Sequence, residues 1–193
     1  MKLGCVVMAA GRGSRFGANK LLQDFRGKPL CRWAMEAVPP AEFSEVCVVT
    51  GYEPVEELAR EFGFRTVWNR QPEVGISLTI RLGLEQLADC GGVLFMTADQ
   101  PLLTAASVTR LAEAFREAPE AILAASHGGR RGNPCLFPKA LFPELLALQG
   151  DVGGSAVIRA HGELLRLVEL PARELADCDT AQALHDLEQS GEC

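Results

Sequence analysis

Short, continuous apolar runs alternate along this chain with longer stretches that are apolar on one side only. Leu3–Ala9 is such a run and predicts a strand buried on both faces. A polar stretch from Gly11 to Lys20 follows it. Pro29 opens a helical stretch to about Val38, at the first-turn position where a missing N–H does no harm. Val46–Gly51 reads as a second buried strand, Pro54–Phe62 as a helix stopped by Gly63, and Phe64–Trp68 as a third strand. Leu78, Leu82, Leu84 and Leu87 share one side of a helix over Ser77–Leu87, which Gly91-Gly92 ends. A strand over Val93–Ala98, a helix from the Thr104 cap to about Ala118 and a strand over Ala121–Ala125 come next. Gly128-Gly129 and Gly132-Asn133-Pro134 read as turns around a short extended piece. Short helices over Leu141–Leu148 and Ser155–Ala160, a last strand over Leu164–Glu169 and a terminal helix over Thr180–Gln189 close the pattern.

Strands alternating with helices at this spacing predict an α/β fold with a mainly parallel central sheet. The stretch from about Ser126 to Pro138 breaks the alternation and predicts a small antiparallel hairpin. With no repeat, linker or low-complexity segment, one domain over residues 1–193 is expected. Ligands of open α/β sheets bind beyond the carboxyl ends of the strands, so the loops after Ala9, Gly51, Trp68 and Ala98 are expected to share a cleft.

Composition narrows the partners. The net charge is −6 and no Lys/Arg-rich run occurs, which argues against nucleic acid. Local basic residues remain, Arg12, Arg15 and Lys20 early and Arg130 with Arg131 later, and they suit a small anionic ligand. The seven cysteines form no CxxC pair, and several sit inside apolar runs. They read as buried hydrophobes in a reducing compartment, the alternative being a zinc site drawn from the scattered cysteines and the three histidines. No apolar stretch approaches the ~20 residues of a membrane span. The first apolar run leads straight into a Gly-rich loop rather than a cleavage site, so a cytoplasmic protein with no membrane partner is expected.

That loop, Ala9-Ala10-Gly11-Arg12-Gly13-Ser14-Arg15-Phe16-Gly17-Ala18-Asn19-Lys20, has the chemistry of a phosphate cradle. Glycines let successive N–H groups approach phosphate oxygens, while Arg15 and Lys20 add charge. A Walker A loop, GxxxxGKS/T, does not fit. The dinucleotide fingerprint GxGxxG does not fit either, because Gly11, Gly13 and Gly17 are spaced one residue too far and no acidic residue follows at the expected distance. The loop instead resembles the AAGxSxRxGxxK signature of sugar-phosphate and cofactor nucleotidyltransferases, and is most similar to the MobA-like group of molybdenum cofactor nucleotidyltransferases.

Further stretches carry the same resemblance in order. Asn69 and Gly75-Ile76-Ser77-Leu78-Thr79 resemble the family's Asn and GxSxS segment. Thr97-Ala98-Asp99-Gln100-Pro101 resembles GDQP, with Thr97-Ala98 in place of Gly. Gly129-Arg130-Arg131-Gly132-Asn133-Pro134 is similar to RGxP, with Asn133 where His is frequent. Gly150-Asp151-Val152-Gly153 resembles GDxG, and Asp177-Cys178-Asp179-Thr180 resembles DxDT. The resemblance implies a three-layer, Rossmann-like nucleotidyltransferase fold. It implies nucleotide contacts from Ala9, Ala10, Gly11, Gly13, Ser14, Arg15, Lys20, Asn69, Ser77 and Thr79. It implies catalytic roles for Arg15, Lys20 and Asp99, and Mg²⁺ on Asp99 with Asp177 or Asp179. It places Arg131, Asn133 and Asp151 near the acceptor. Because the loop begins Ala9-Ala10-Gly11 rather than AGG, it implies CTP as donor and a molybdopterin-type phosphorylated acceptor, with a molybdoenzyme as a partner left open.

The expected chemistry is attack of an acceptor phosphate oxygen on the NTP α-phosphorus. A phosphate monoester has a second pKa of about 6, so no strong base is needed. In keeping with this, His127, His161 and His185 fall in no motif. Three alternatives stay open: a guanylyltransferase using GTP, a nucleotidyltransferase of the same fold acting on a sugar phosphate or isoprenoid precursor, and a catalytically silent cofactor-binding chaperone.

Overall fold

The computed structural model describes residues 1–11 and 19–189. Its elements in chain order are β1 (Leu3–Ala9), β2 (Asp24–Phe25), β3 (Lys28–Pro29), α1 (Leu30–Glu36), β4 (Glu45–Thr50), α2 (Glu53–Glu61) and β5 (Arg65–Trp68). Then come α3 (Ile76–Gln86), β6 (Gly92–Thr97), α4 (Ala105–Glu117), β7 (Ile122–His127) and β8 (Arg130–Pro138). The chain ends in α5 (Phe142–Ala147), α6 (Ser155–Ala160), β9 (Leu165–Glu169) and α7 (Ala181–Gln189). No helix among these is long and apolar enough to cross a membrane.

A seven-stranded sheet in the order β5-β4-β1-β6-β8-β7-β9 forms the middle layer. The pairings β1–β4, β1–β6, β4–β5 and β7–β9 are parallel, and β8 runs antiparallel to both its neighbours. Strand β8 is therefore the single reversed strand, so its start lies at the same edge as the carboxyl ends of the others. Period-two alternation then divides the core. Cys5, Val7, Leu94 and Met96 face one way, with Met35 of α1, Val55 of α2 and Phe115 of α4. Val6, Val49, Val93 and Phe95 face the other way, with Ile80 of α3, Phe142 of α5 and Ile158 of α6. Helices thus cover both faces, which is why the inner strands carry continuous apolar runs.

Two local features differ from the sequence expectation. Gly132-Asn133-Pro134 is not a turn but lies inside β8, where the pairing with β7 shifts register between Ala124 and Ser126. The shift makes room for a proline that a regular ladder would exclude. The hairpin β2–β3 was not expected. Its turn residues Arg26 and Gly27 take φ of 50° and 80°, the left-handed pair that suits a two-residue hairpin. Arg is an uncommon choice there, so the signal is weak. The turn is anchored where Arg26 Nη2 donates to the carbonyls of Leu187 (3.1 Å) and Glu188 (3.3 Å) in α7.

The chain between β9 and α7 is stitched back onto the end of β6. The Cys178 N–H donates to the Asp99 carbonyl at 3.0 Å. Buried Gln100 donates from Nε2 to the carbonyls of Leu175 (3.3 Å) and Asn133 (3.4 Å). Buried Glu174 accepts from the Thr104 N–H and hydroxyl, both at 3.0 Å, at the start of α4. Cys178 itself is fully buried beside Phe25 and Leu30. Removing the Glu174 carboxylate takes the shared acceptor from the Thr104 N–H and hydroxyl, bonds that in total contribute ~1–2 kcal/mol. Glu174→Ala is expected to lower Tm by about 2–4 °C per kcal/mol lost, measured by calorimetry.

Candidate active site

Strand β1 continues to β4 and β5 on one side, while β6 returns to its other side. The crevice between the ends of β1 and β6 is the switch point where open α/β sheets bind ligands. A cleft of about 600 Å³ lies there, lined among others by Ala10, Gly11, Lys20, Gly75, Thr97 and Asp99. A neighbouring hollow of about 500 Å³ shares Ala10 and Pro72 with it and adds Gly51, Trp68 and Asn69. The loops after β1, β4, β5 and β6 therefore do converge, in two adjoining depressions. Ala9 is fully buried at the end of β1, and Tyr52 fixes the next turn by donating its hydroxyl to the Gly11 carbonyl at 3.1 Å. Arg12, Gly13, Ser14 and Arg15 lie outside the described residues.

Lys20 is the centre of the cleft's charge. It opens a short helical turn, Lys20–Leu22, capped by the Asn19 side chain on the Leu21 N–H at 3.1 Å. Burial of Leu21 on one side of this turn leaves Lys20 facing the cleft. Its ammonium donates to Asp99 Oδ2 at 2.5 Å and to Asp179 Oδ1 at 3.0 Å. The Lys20 and Asp99 side chains are each only 15 % exposed. Burial alone would lower the Lys20 pKa; the hydrogen bonds and charge of Asp99 and Asp179 outweigh it and hold the group above its ordinary value. Asp177 completes an acidic group. Crowding by the protein, then like charge from Asp99 and Asp179, pushes its carboxyl up to about 6.

One ammonium thus faces three carboxylates, and Asp99 Oδ1 is a buried oxygen with no hydrogen-bond partner. Among the described residues, no group of three His, Cys, Asp or Glu side chains forms a ready-made metal cage. The surplus negative charge and the unpartnered Asp99 oxygen nevertheless fit a hard divalent cation of the kind that takes one or two carboxylates and completes its shell with phosphate oxygens and water.

The wall opposite Lys20 is built by two glycines in contact. Gly75 sits at φ 102°, and a Cβ there would lie 2.5 Å from the Gly150 carbonyl. The Ser77 N–H donates to the Gly150 carbonyl and the Ile76 N–H to Asp151 Oδ1, each at 3.3 Å, so the start of α3 is already satisfied. Asp151 lines the cleft in this capping position. Ser77 is fully buried and is not part of the lining, whereas Thr79 is. Asn69 is buried and spends its amide internally, donating to Thr79 Oγ1 at 3.1 Å and accepting from the Gln71 N–H at 3.0 Å.

Arg131 and Asn133, from the start of β8, reach the same edge. Arg131 Nη2 donates to Ser155 Oγ at 3.2 Å, and Asn133 is tied through its carbonyl to Gln100, next to Asp99. Reasoning from sequence passed over Gln100, Asn19 and the Gly75–Gly150 contact as builders of the site. Only the Gly-Asp pair at 150–151 carried a local sign of the last.

Comparison with known proteins bears on the family and the fold. The model of the MobA-like NTP transferase domain matches residues 5–165. The purine catabolism protein PucB of Bacillus subtilis is 27 % identical over 191 residues, covering 92 % of this chain and 91 % of that protein. A probable molybdenum cofactor guanylyltransferase of Thermococcus kodakarensis is 34 % identical over 116 residues, covering 58 % of this chain and 53 % of its own. The bifunctional protein GlmU of Trichlorobacter lovleyi is 29 % identical over 113 residues, 55 % of this chain, and the match spans only 24 % of that longer relative. Among solved structures, Rv0371c of Mycobacterium tuberculosis in complex with manganese superposes with a TM-score of 0.81 at 21 % identity, covering 98 % of this chain and 100 % of that one.

The raised Asp177 pKa has a stability consequence. The folded state binds the Asp177 proton more tightly than the unfolded chain, whose Asp pKa is ~3.9. Stability from this group is therefore full below about pH 4 and is lost as pH rises through about 6. Asp177→Asn is expected to raise Tm of the metal-free protein at pH 8 and to change nothing at pH 3.5. Solvent screening limits the gain to ~1 kcal/mol or less, ~2–4 °C. Thermal melts of both proteins across this range check it.

Proposed function

The chain belongs to the MobA-like NTP transferase family, and from that premise we propose that it transfers CMP from CTP to a molybdopterin-type phosphorylated acceptor in the cytoplasm, releasing pyrophosphate. The general activity is that of a nucleotidyltransferase. The observation that carries the proposal is Lys20 held between Asp99 and Asp179 in a cleft whose other rim is Ala10-Gly11.

In this reading the nucleotide lies across Ala9, Ala10 and Gly11, with Gly13, Ser14 and Arg15 wrapping the triphosphate. Thr79 lines the cleft beside it, while Asn69 and Ser77 shape the wall from behind. Asp99 with Asp179, and Asp177 beside them, would hold Mg²⁺, which supplies neutralisation of the triphosphate charge. Lys20 keeps its proton throughout, because its carboxylate partners hold its pKa up. An acceptor phosphate oxygen, already ionised near neutral pH, attacks the α-phosphorus in line. No histidine lines the described cleft, in keeping with a reaction that needs no strong base. Negative charge builds on the departing pyrophosphate, and Lys20 and Arg15 stabilise it more in the transition state than in the ground state. Arg131 and Asn133 hold the acceptor; Asp151, engaged on the Ile76 N–H, sets the wall it passes.

A second reading, GTP in place of CTP, is favoured by the description of the Thermococcus relative as a guanylyltransferase. Pyrophosphate release from purified protein, Mg²⁺, molybdenum-loaded molybdopterin and each NTP separates the two. CTP is expected to be turned over at least tenfold faster than GTP; equal or slower turnover of CTP sinks the assignment of the base. Asp99→Asn keeps the side chain's size and removes its charge. Losing such an electrostatic contact lowers turnover on the order of 10²–10³-fold. Steady-state assays at limiting Mg²⁺, with melting as the folding control, check it.

A further inference from the structure

A groove of about 310 Å³ shares none of its lining with the cleft. Four separate segments build it: the β2–β3 turn through Arg26, α1 through Trp33, the chain directly after Gln100 through Pro101, Leu102 and Leu103, and the turn Ala172–Leu175 through Arg173. Pro101 and Leu103 are buried, Trp33 and Leu102 are half-buried, and both arginines are exposed. The result is an open apolar trough with a guanidinium from each of two distant segments.

Its walls are fixed from within. The Trp33 indole N–H donates to the Phe25 carbonyl at 2.8 Å, and its ring meets Phe25 edge to face with centroids 5.9 Å apart. Thr104, which also lines the groove, spends its N–H and hydroxyl on Glu174. The charges divide differently. Lys28, 4.4 Å from the Trp33 ring centroid, pairs with Glu36, and Arg32 of α1 pairs with Glu36 and Glu61. Arg26 spends Nη2 on carbonyls of α7, which carry no net charge, and Glu188 reaches only its main-chain N–H. Arg173 makes no hydrogen bond or ion pair among the described residues. Two cations beside one trough thus lack an ion-pair partner among the described residues, in a chain whose net charge is −6.

We propose that this groove docks an acidic segment of a partner protein, a short stretch carrying a leucine or aromatic side chain between carboxylates. The apolar side chain enters between Trp33 and Leu102, and the flanking carboxylates meet Arg26 and Arg173. Arginine can hold a carboxylate through two parallel N–H donors, and clustered arginines are a recurring device for reading acidic motifs. Tryptophan and arginine are also prominent among the residues that anchor protein interfaces. Sites for free small molecules enclose most of their ligand. An open trough does not, whereas a peptide segment is held there by the body of its own protein as well. Because the groove lies outside the cleft, docking is independent of which nucleotide and acceptor the cleft takes.

Fluorescence anisotropy of the fluorescein-labelled peptide EDLFEE, titrated with the full chain, tests this. Two control peptides separate the contributions: QNLFQQ removes the charge, and EDSSEE removes the apolar side chains. EDLFEE is expected to bind saturably and at least tenfold more tightly than either control. Arg173→Glu is expected to weaken it at least tenfold with the melting temperature unchanged. Leu102→Asp is expected to weaken it as much through the apolar wall, and the exposed Arg173 variant guards against a misfolded Leu102 variant. No saturable binding of EDLFEE, equal binding of either control, or unchanged affinity in Arg173→Glu overturns the inference. Sedimentation of the chain alone adds one more arm: a dimer that Arg173→Glu dissolves assigns the groove to a second copy of this chain and overturns it too.

Discussion

Lys20 is held by two carboxylates that arrive from distant parts of the chain, Asp99 at the end of the fourth parallel strand and Asp179 just before the last helix. A charge this little exposed is costly unless paired, and the mutual repulsion of neighbouring carboxylates is eased by a cation among them. Each side therefore stabilises the other. Lys20, the end of β6 and the returning C-terminal segment are brought to one point by that mutual attraction. The site is thereby arranged for both signs of charge.

The ion pair acts within a frame of neutral hydrogen bonds. Gln100 and Glu174 are buried polar side chains that spend their bonding on the backbone of segments far away in sequence. Cys178 enters the small cluster of Phe25 and Leu30, so that Asp177 and Asp179 on either side of it are directed away from that cluster. The Asp-Cys-Asp sequence is thus an anchor as well as a pair of charges. The uncommon hairpin at Arg26-Gly27 serves the same frame, since it supplies Phe25 and grips α7. Placement of the acidic group is in this way distributed over the hairpin, α4, β8 and α7.

Several side chains with expected ligand roles are already engaged within the protein. Asn69 closes on Thr79 and Gln71, Ser77 is fully buried, and Asp151 caps α3. A motif lists which residue types recur around a ligand without distinguishing those that touch it from those that shape the backbone. The hydrogen-bond partners show which of them also shape the backbone. The same holds for Gly132-Asn133-Pro134, whose turn chemistry is real but is absorbed by a register shift inside β8. That shift is a property of the pair of strands and is invisible in either strand alone.

The sequence by itself determined the layered α/β plan, because strands buried on both faces and helices buried on one leave different local periods. It determined that glycine and basic residues are concentrated in the first loop, a composition suited to phosphate whatever the fold. It did not determine which carboxylates meet Lys20, which polar residues face the cleft, or that a reversed strand carries Arg131 to the same edge as Asp99. Those are contacts between positions such as 20, 99 and 179. Periodicity and turn chemistry reach only a few residues along the chain, and the pairing of distant polar groups is settled when the sheet order and the burial of both its faces are satisfied together.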